Sequence, residues 1–131
     1  ETGLISCSFT GMNRRINKRW IKALRISHDD TPETIVTQIQ ALKDFGACSV
    51  LLDAYHPDKF GGTGDSFDWE KIPKHSPLPI ILAGGLTADN VGDAITQTGV
   101  YGVDVSGGIE SAKGVKSLQK MTAFLNVVKS N

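Results

Sequence analysis

The chain has 131 residues, with 14 Lys plus Arg against 14 Asp plus Glu and 40% hydrophobic residues. That size holds one domain or part of one, and zero net charge argues against nucleic acid as the default partner. Every apolar run falls far short of the ~20 residues that cross a bilayer, so no membrane partner is expected. Basic residues gather locally at Arg14, Arg15, Lys18, Arg19, Lys22 and Arg25, which reads as a solvated face. Cys7 and Cys48, without a secretory signal, read as free thiols of a reducing, cytoplasmic compartment.

Trp20 to Ile26 is the first strand signal, followed by His28-Asp29-Asp30-Thr31-Pro32, where Thr31 can cap a helix and Pro32 can occupy its first turn. Ile35, Ile39, Leu42 and Phe45 form one apolar face of a helix reaching about Phe45, and Gly46 supplies the left-handed residue that stops it. Ser49-Val50-Leu51-Leu52 is a continuously apolar strand ending on Asp53, the pattern of a sheet covered on both faces. After Pro77 and Pro79 come a third strand, Ile80-Ile81-Leu82, and a helix from Ala88 to about Gln97, with Thr87 as its N-cap and Gly99 at its close. Tyr101 to Val105 is the fourth strand. A loop through Lys113-Gly114 leads to a last helix with Leu118, Met121, Leu125 and Val128 on one face.

Strands alternating with helices at roughly 30-residue spacing are consecutive βα units of an α/β fold with right-handed crossovers. Four units are visible, whereas a closed barrel needs eight and rarely fits in fewer than about 200 residues. The chain is therefore either a small open α/β sheet or the C-terminal half of a barrel. Residues 1–19 do not repeat the pattern, so the expected division is an unmatched segment 1–19 and a partial barrel over 20–131.

Two glycine-bearing segments, Leu82-Ala83-Gly84-Gly85-Leu86 and Val103-Asp104-Val105-Ser106-Gly107-Gly108, end successive apolar runs and lead toward helices. Glycines let a backbone approach an anion, and unpaired N–H groups at a helix start receive it. Ordinary turns use the same residues. Two in tandem point to a phosphorylated small molecule.

The segment Leu51-Leu52-Asp53-Ala54-Tyr55 through Gly61-Gly62-Thr63-Gly64 to Phe67-Asp68-Trp69 completes a set of separated motifs. With Ile21-Lys22-Ala23, both glycine segments, Asn90-Val91, Ile109-Glu110 and Gly114-Val115-Lys116, it resembles the phosphoribosylanthranilate isomerases of tryptophan biosynthesis from Trp20 to the C-terminus. The resemblance implies the C-terminal half, strands 5 to 8, of a (β/α)8 TIM barrel of the ribulose-phosphate-binding type. It also implies an Amadori rearrangement of a phosphoribosyl amine without metal or organic cofactor. An acid protonates the ribose ring oxygen, and a base removes the C2′ proton of the resulting Schiff base.

By resemblance Asp53 is the general acid; the plain alternative is an Asp that caps a loop. The family base is a cysteine followed by glycine at the end of the first barrel strand. Leu4-Ile5-Ser6-Cys7-Ser8 offers Cys7 as the candidate but lacks that glycine. Gly84, Gly85, Gly107 and Gly108 are expected around the substrate phosphate. Asp104 is expected at the sugar hydroxyls or, failing that, bonded to a neighbouring loop. Gly61, Gly62 and Gly64 are expected in a loop that folds over the substrate. Lys22 faces either the interior or an acidic neighbour. His28, His56 and His75 lack metal-ligand spacing and read as surface or loop residues, and Phe67 with Trp69 as packing for a short helix. The expected partner is a phosphosugar. The chain by itself should be inactive, with self-association through open barrel edges or fusion to another tryptophan-pathway domain as further possibilities. A phosphate-binding half-barrel that assembles with a complementary half is the competing function.

Overall fold

The computed structural model describes residues 5–6, 18–57 and 67–131. Its centre is a five-stranded, wholly parallel sheet in sequence order: β1 (Ile5–Ser6), β2 (Trp20–Arg25), β3 (Ser49–Asp53), β4 (Ile80–Ala83) and β5 (Gly102–Val103). β1 adds a strand within the segment 1–19, pairing Ile5 with Trp20 and Ser6 with Ile21. One face carries Trp20, Ile26, Val50, Leu52 and Leu82 into the core beneath the helices. Alternation then sends Leu51, Asp53 and Ala83 to the other face. Lys22 belongs to the helix-side set: it lines a cleft with Leu24, Gln38, Ala41 and Leu42, so it does not enter the interior near Asp53.

Helix α1 (Pro32–Asp44) has the expected start and stop. Thr31 Oγ1 accepts from the Thr34 amide at 3.2 Å and Thr34 Oγ1 from the Thr31 amide at 2.9 Å, a reciprocal cap. Ile35, Ile39 and Leu42 are its buried residues, and Gly46 follows at φ +99°. Helix α2 (Val91–Thr98) starts three residues later than the sequence suggests. Thr87 does not cap it: Thr87 Oγ1 accepts from the Asp89 amide, and Thr87 to Asn90 form a turn ahead of the helix, with Asn90 in the N-cap position.

The fourth unit departs most from expectation. β5 spans two residues rather than Tyr101 to Val105, and Tyr101 is 82% exposed. Beyond a 3₁₀ turn at Gly107–Ile109, the expected loop is an antiparallel hairpin of β6 (Glu110–Ala112) and β7 (Val115–Lys116), turned by Lys113-Gly114 and tied by a Lys116–Glu110 pair at 2.8 Å. In α3 (Leu118–Lys129) the buried residue is Phe124, with Val127 and Val128 partly buried beside it. Leu118 is 79% and Leu125 51% exposed, because the stripe expected to face the core lies past β5, the outer strand of the described sheet.

Candidate active site

Side chains at the C-terminal ends of parallel strands converge on one rim, where the strand-to-helix turns also gather. In this sheet the rim surrounds a cleft of about 570 Å³ lined by Leu51, Asp53 and Tyr55, by Ala83 to Thr87, and by Asp104 to Gly108. Asp53, Asp104 and both glycine segments, separated by up to 55 positions in the chain, thus share one cavity wall. Cys7, Gly61, Gly62 and Gly64 lie outside the described residues.

Asp53 pairs in register with Arg25 on one side and Ala83 on the other. Asp104 follows Val103, which pairs with Leu82, and its amide donates to Leu82 O at 2.8 Å, so it stands level with Ala83. Two strand spacings separate the Asp53 and Asp104 backbones, about 10 Å. One Asp53 oxygen, Oδ1, accepts from the Tyr55 amide at 3.1 Å, and Arg25 Nη2 donates to the Tyr55 carbonyl at 3.2 Å. Tyr55 is held from both ends of its backbone, which fixes the carboxylate at the cleft mouth.

The glycines are shaped by close approach. Gly84 has φ +98°, and a Cβ there would collide with Asp53 Oδ1 and come within 3.0 Å of the Tyr55 amide nitrogen. A Cβ on Gly108 would collide with Leu86 O, whereas one on Gly107 would meet nothing within 4 Å among the described residues. Among the described residues, the amides of Gly84, Gly85, Ser106, Gly107 and Gly108 donate no hydrogen bond. Amides left without acceptors along one cavity wall are the groups that receive an oxyanion.

Four contributors were not singled out for these roles from the sequence. Arg25 stood within the basic cluster and Tyr55 in a motif, and only the register brings them to Asp53. Asn90 accepts from the Thr87 amide at 2.8 Å through Oδ1 and donates to Gly85 O at 3.0 Å through Nδ2. Its signal was available in the short-range bonding of Asn to nearby backbone. His56, read as surface or loop, is half-buried with Nε2 2.8 Å from Oδ2 of the buried Asp68. That pair and the Tyr55–Phe67 bridge, whose ring centroids lie 5.5 Å apart, join the two described flanks of segment 58–66, and the Phe67 ring stacks in turn on Trp69 at 4.7 Å.

Residues 12–127 match the family model described as N-(5'phosphoribosyl)anthranilate (PRA) isomerase. The chain belongs to this family. The match begins within the segment 1–19. A Pseudomonas putida N-(5'-phosphoribosyl)anthranilate isomerase is 50% identical over 113 residues, 86% of this chain and 52% of that protein. The chain therefore spans about half the length of the curated relatives it matches. Among solved structures, phosphoribosyl anthranilate isomerase from Thermococcus kodakaraensis is similar with a TM-score of 0.67 at 30% identity, over 92% of this chain and 56% of that one. Another isomerase, solved with reduced 1-(o-carboxyphenylamino)-1-deoxyribulose 5-phosphate, is similar at 26% identity and a TM-score of 0.63, over 86% of this chain and 50% of that one. With the parallel sheet, these neighbours establish an α/β fold of the TIM-barrel type.

Proposed function

We propose that this chain supplies the acid and the phosphate-binding wall of an N-(5'-phosphoribosyl)anthranilate isomerase, a soluble cytoplasmic enzyme of tryptophan biosynthesis, as strands 5 to 8 of its barrel. The observation that carries the reading is the one cleft in which the Asp53 carboxyl stands beside two segments whose amides have no acceptor among the described residues. The substrate's phosphate occupies the wall of Gly84, Gly85, Gly107 and Gly108, and Asp104 accepts from the sugar hydroxyls. With the phosphate held there, the ribose extends toward Asp53.

Asp53 donates a proton to the ring oxygen as the C1′–O bond breaks, leaving a Schiff base between C1′ and the anthranilate nitrogen. Loss of the C2′ proton to a base moves the electron pair into the C1′–C2′ bond, and the resulting enolamine settles as the aminoketose. Cys7 is the candidate base within the chain; otherwise the base comes from the half of the barrel that this chain does not span. On that second arrangement the 131-residue chain is inactive alone. Joined to a complementary half that restores turnover, Asp53→Asn should lower kcat by about 10²–10⁴ with KM little changed. Near-normal turnover would overturn the acid assignment.

A second reading, a phosphate-binding half-barrel that assembles with a complementary half, is favoured by one further observation. The groove beside β5, about 320 Å³ and lined by Val103, Val105, Ile109, Met121 and Leu125 among others, presents apolar side chains next to the strand's outer edge. Failure of any complementary half to restore turnover, together with stable binding between the halves, would favour assembly over catalysis.

A further inference from the structure

The glycine segment after β4 would be free to rotate its peptide planes if nothing held it, and an anion cradle works only when its amides are aimed beforehand. Among the described residues, one side chain hydrogen-bonds to the segment's backbone. The Asn90 carboxamide donates to Gly85 O and accepts from the Thr87 amide, bonding the peptide units on both sides of Leu86. In a trans peptide the C=O and N–H of one unit point in opposite directions. Taking the Gly85 carbonyl therefore turns the Leu86 N–H away from Asn90, and taking the Thr87 N–H turns the Leu86 carbonyl away from it.

Both consequences meet other observations. Leu86 lines the cleft, and among the described residues its amide donates no hydrogen bond. Its carbonyl lies against Gly108, where a Cβ would collide with Leu86 O and approach Thr87 Cα to 3.2 Å. The same carboxamide thus aims one segment's amide and sets the distance at which the second segment docks on the first.

We propose that Asn90 is a positioning residue for phosphate, holding the Gly85–Leu86 and Leu86–Thr87 peptide planes so that both glycine segments form one cradle. The assignment rests on the reading of the cleft as a phosphate site. Helix capping alone would ask less of the residue, since Ser serves equally well at an N-cap but is too short to bridge Gly85 O and the Thr87 amide.

The test titrates the 131-residue chain with inorganic phosphate while the amide signals of Gly84, Gly85, Leu86, Gly107 and Gly108 are followed by NMR. Saturable shifts are expected for the wild type. Asn90→Ser should bind about tenfold or more weakly while keeping a dispersed, folded spectrum, and its Thr87 amide should exchange faster with solvent. Equal phosphate affinity in the two proteins overturns the positioning role and leaves the cradle standing. Absence of any shift in the wild type overturns the phosphate reading itself, and the assignment of Asn90 with it. Should Asn90→Ser fail to fold, Asn90→Gly, also tolerated at a helix start, takes its place under the same criteria.

Discussion

At Gly84 two separate constraints coincide on one α-carbon. The backbone is left-handed, which costs an L-residue roughly 1–2 kcal/mol, and the space a methyl group would fill belongs to the Asp53 carboxylate and the Tyr55 amide. Gly84→Ala is therefore expected to destabilise the fold by at least about 1 kcal/mol in urea unfolding. It should also push the carboxylate off the Tyr55 amide, seen as a shifted Tyr55 amide resonance. A variant with wild-type stability and an unmoved Tyr55 signal would show that the loop relaxes around the methyl. Gly107 has no such neighbour among the described residues, so its smallness bears on what enters the cleft rather than on packing. The sequence treats both residues alike, as members of glycine pairs; only the chain brought across from β3 distinguishes them.

Among the elements, α1 shows how much local chemistry can settle. Its cap, its proline, its buried face and its terminal glycine are all local in sequence, and each appears where the residues place it. Asp30 adds a charge to that start. The Ser27 amide donates to Oδ2 at 2.8 Å, and Thr34 Oγ1 and Gln38 Nε2 donate to Oδ1 at 2.9 and 3.1 Å. The Ser27 bond above all, with the Thr34 and Gln38 bonds, holds the Asp30 carboxyl below the usual carboxylate range despite the opposing effect of partial burial. A carboxyl whose pKa is lower folded than unfolded contributes its stability above the unfolded value, about 3.9, and loses it as pH falls through the folded value. Asp30→Ala should lower stability at pH 7 by about 1 kcal/mol and flatten the decline below about pH 4, measured by urea unfolding across pH 2–7. A decline as steep as in the wild type would place its origin elsewhere.

The elements that the sequence misplaces are those decided by distant partners. The sequence offers Thr87 as the cap, but the start of α2 depends on whether Asn90 reaches forward into the helix or back to Gly85, a choice made by the loop's tertiary setting. β5 is shorter than its apolar run because its ladder to β4 extends over two register pairs. The hairpin after it carries short polar strands whose pairing has no strong alternation to announce it. At the site, the placement of Asp53, Asp104, Gly84, Gly85, Gly107 and Gly108 on one rim is legible from strand ends and glycine pairs, while the roles expected of the two carboxylates come from the family resemblance. Arg25 and Tyr55 are not legible in that way, since register and not spacing joins them to Asp53.

For the molecule as a whole, a parallel sheet is normally covered on both faces and closed or protected at its edges. Here β5 ends the described sheet, and beside it α3 exposes Leu118 at 79%, Leu125 at 51% and Met121 at 37%. The packing that α3 does have runs through Phe124 toward α2 and the core, so the exposed stripe adds little to the stability of the folded chain. What it adds is apolar surface next to an open strand, a combination that drives association. The 131-residue chain should therefore sediment with a weight-average mass that rises with concentration. Replacing Leu118 and Leu125 together by Lys should abolish that rise while changing unfolding free energy by no more than about 0.5 kcal/mol per site, because neither side chain is buried. Phe124→Ala should do the opposite, costing about 3–5 kcal/mol through a core cavity and leaving the exposed stripe in place. If the double lysine variant still associates as the wild type does, the contact lies on another surface, and the groove beside β5 has no part in assembly.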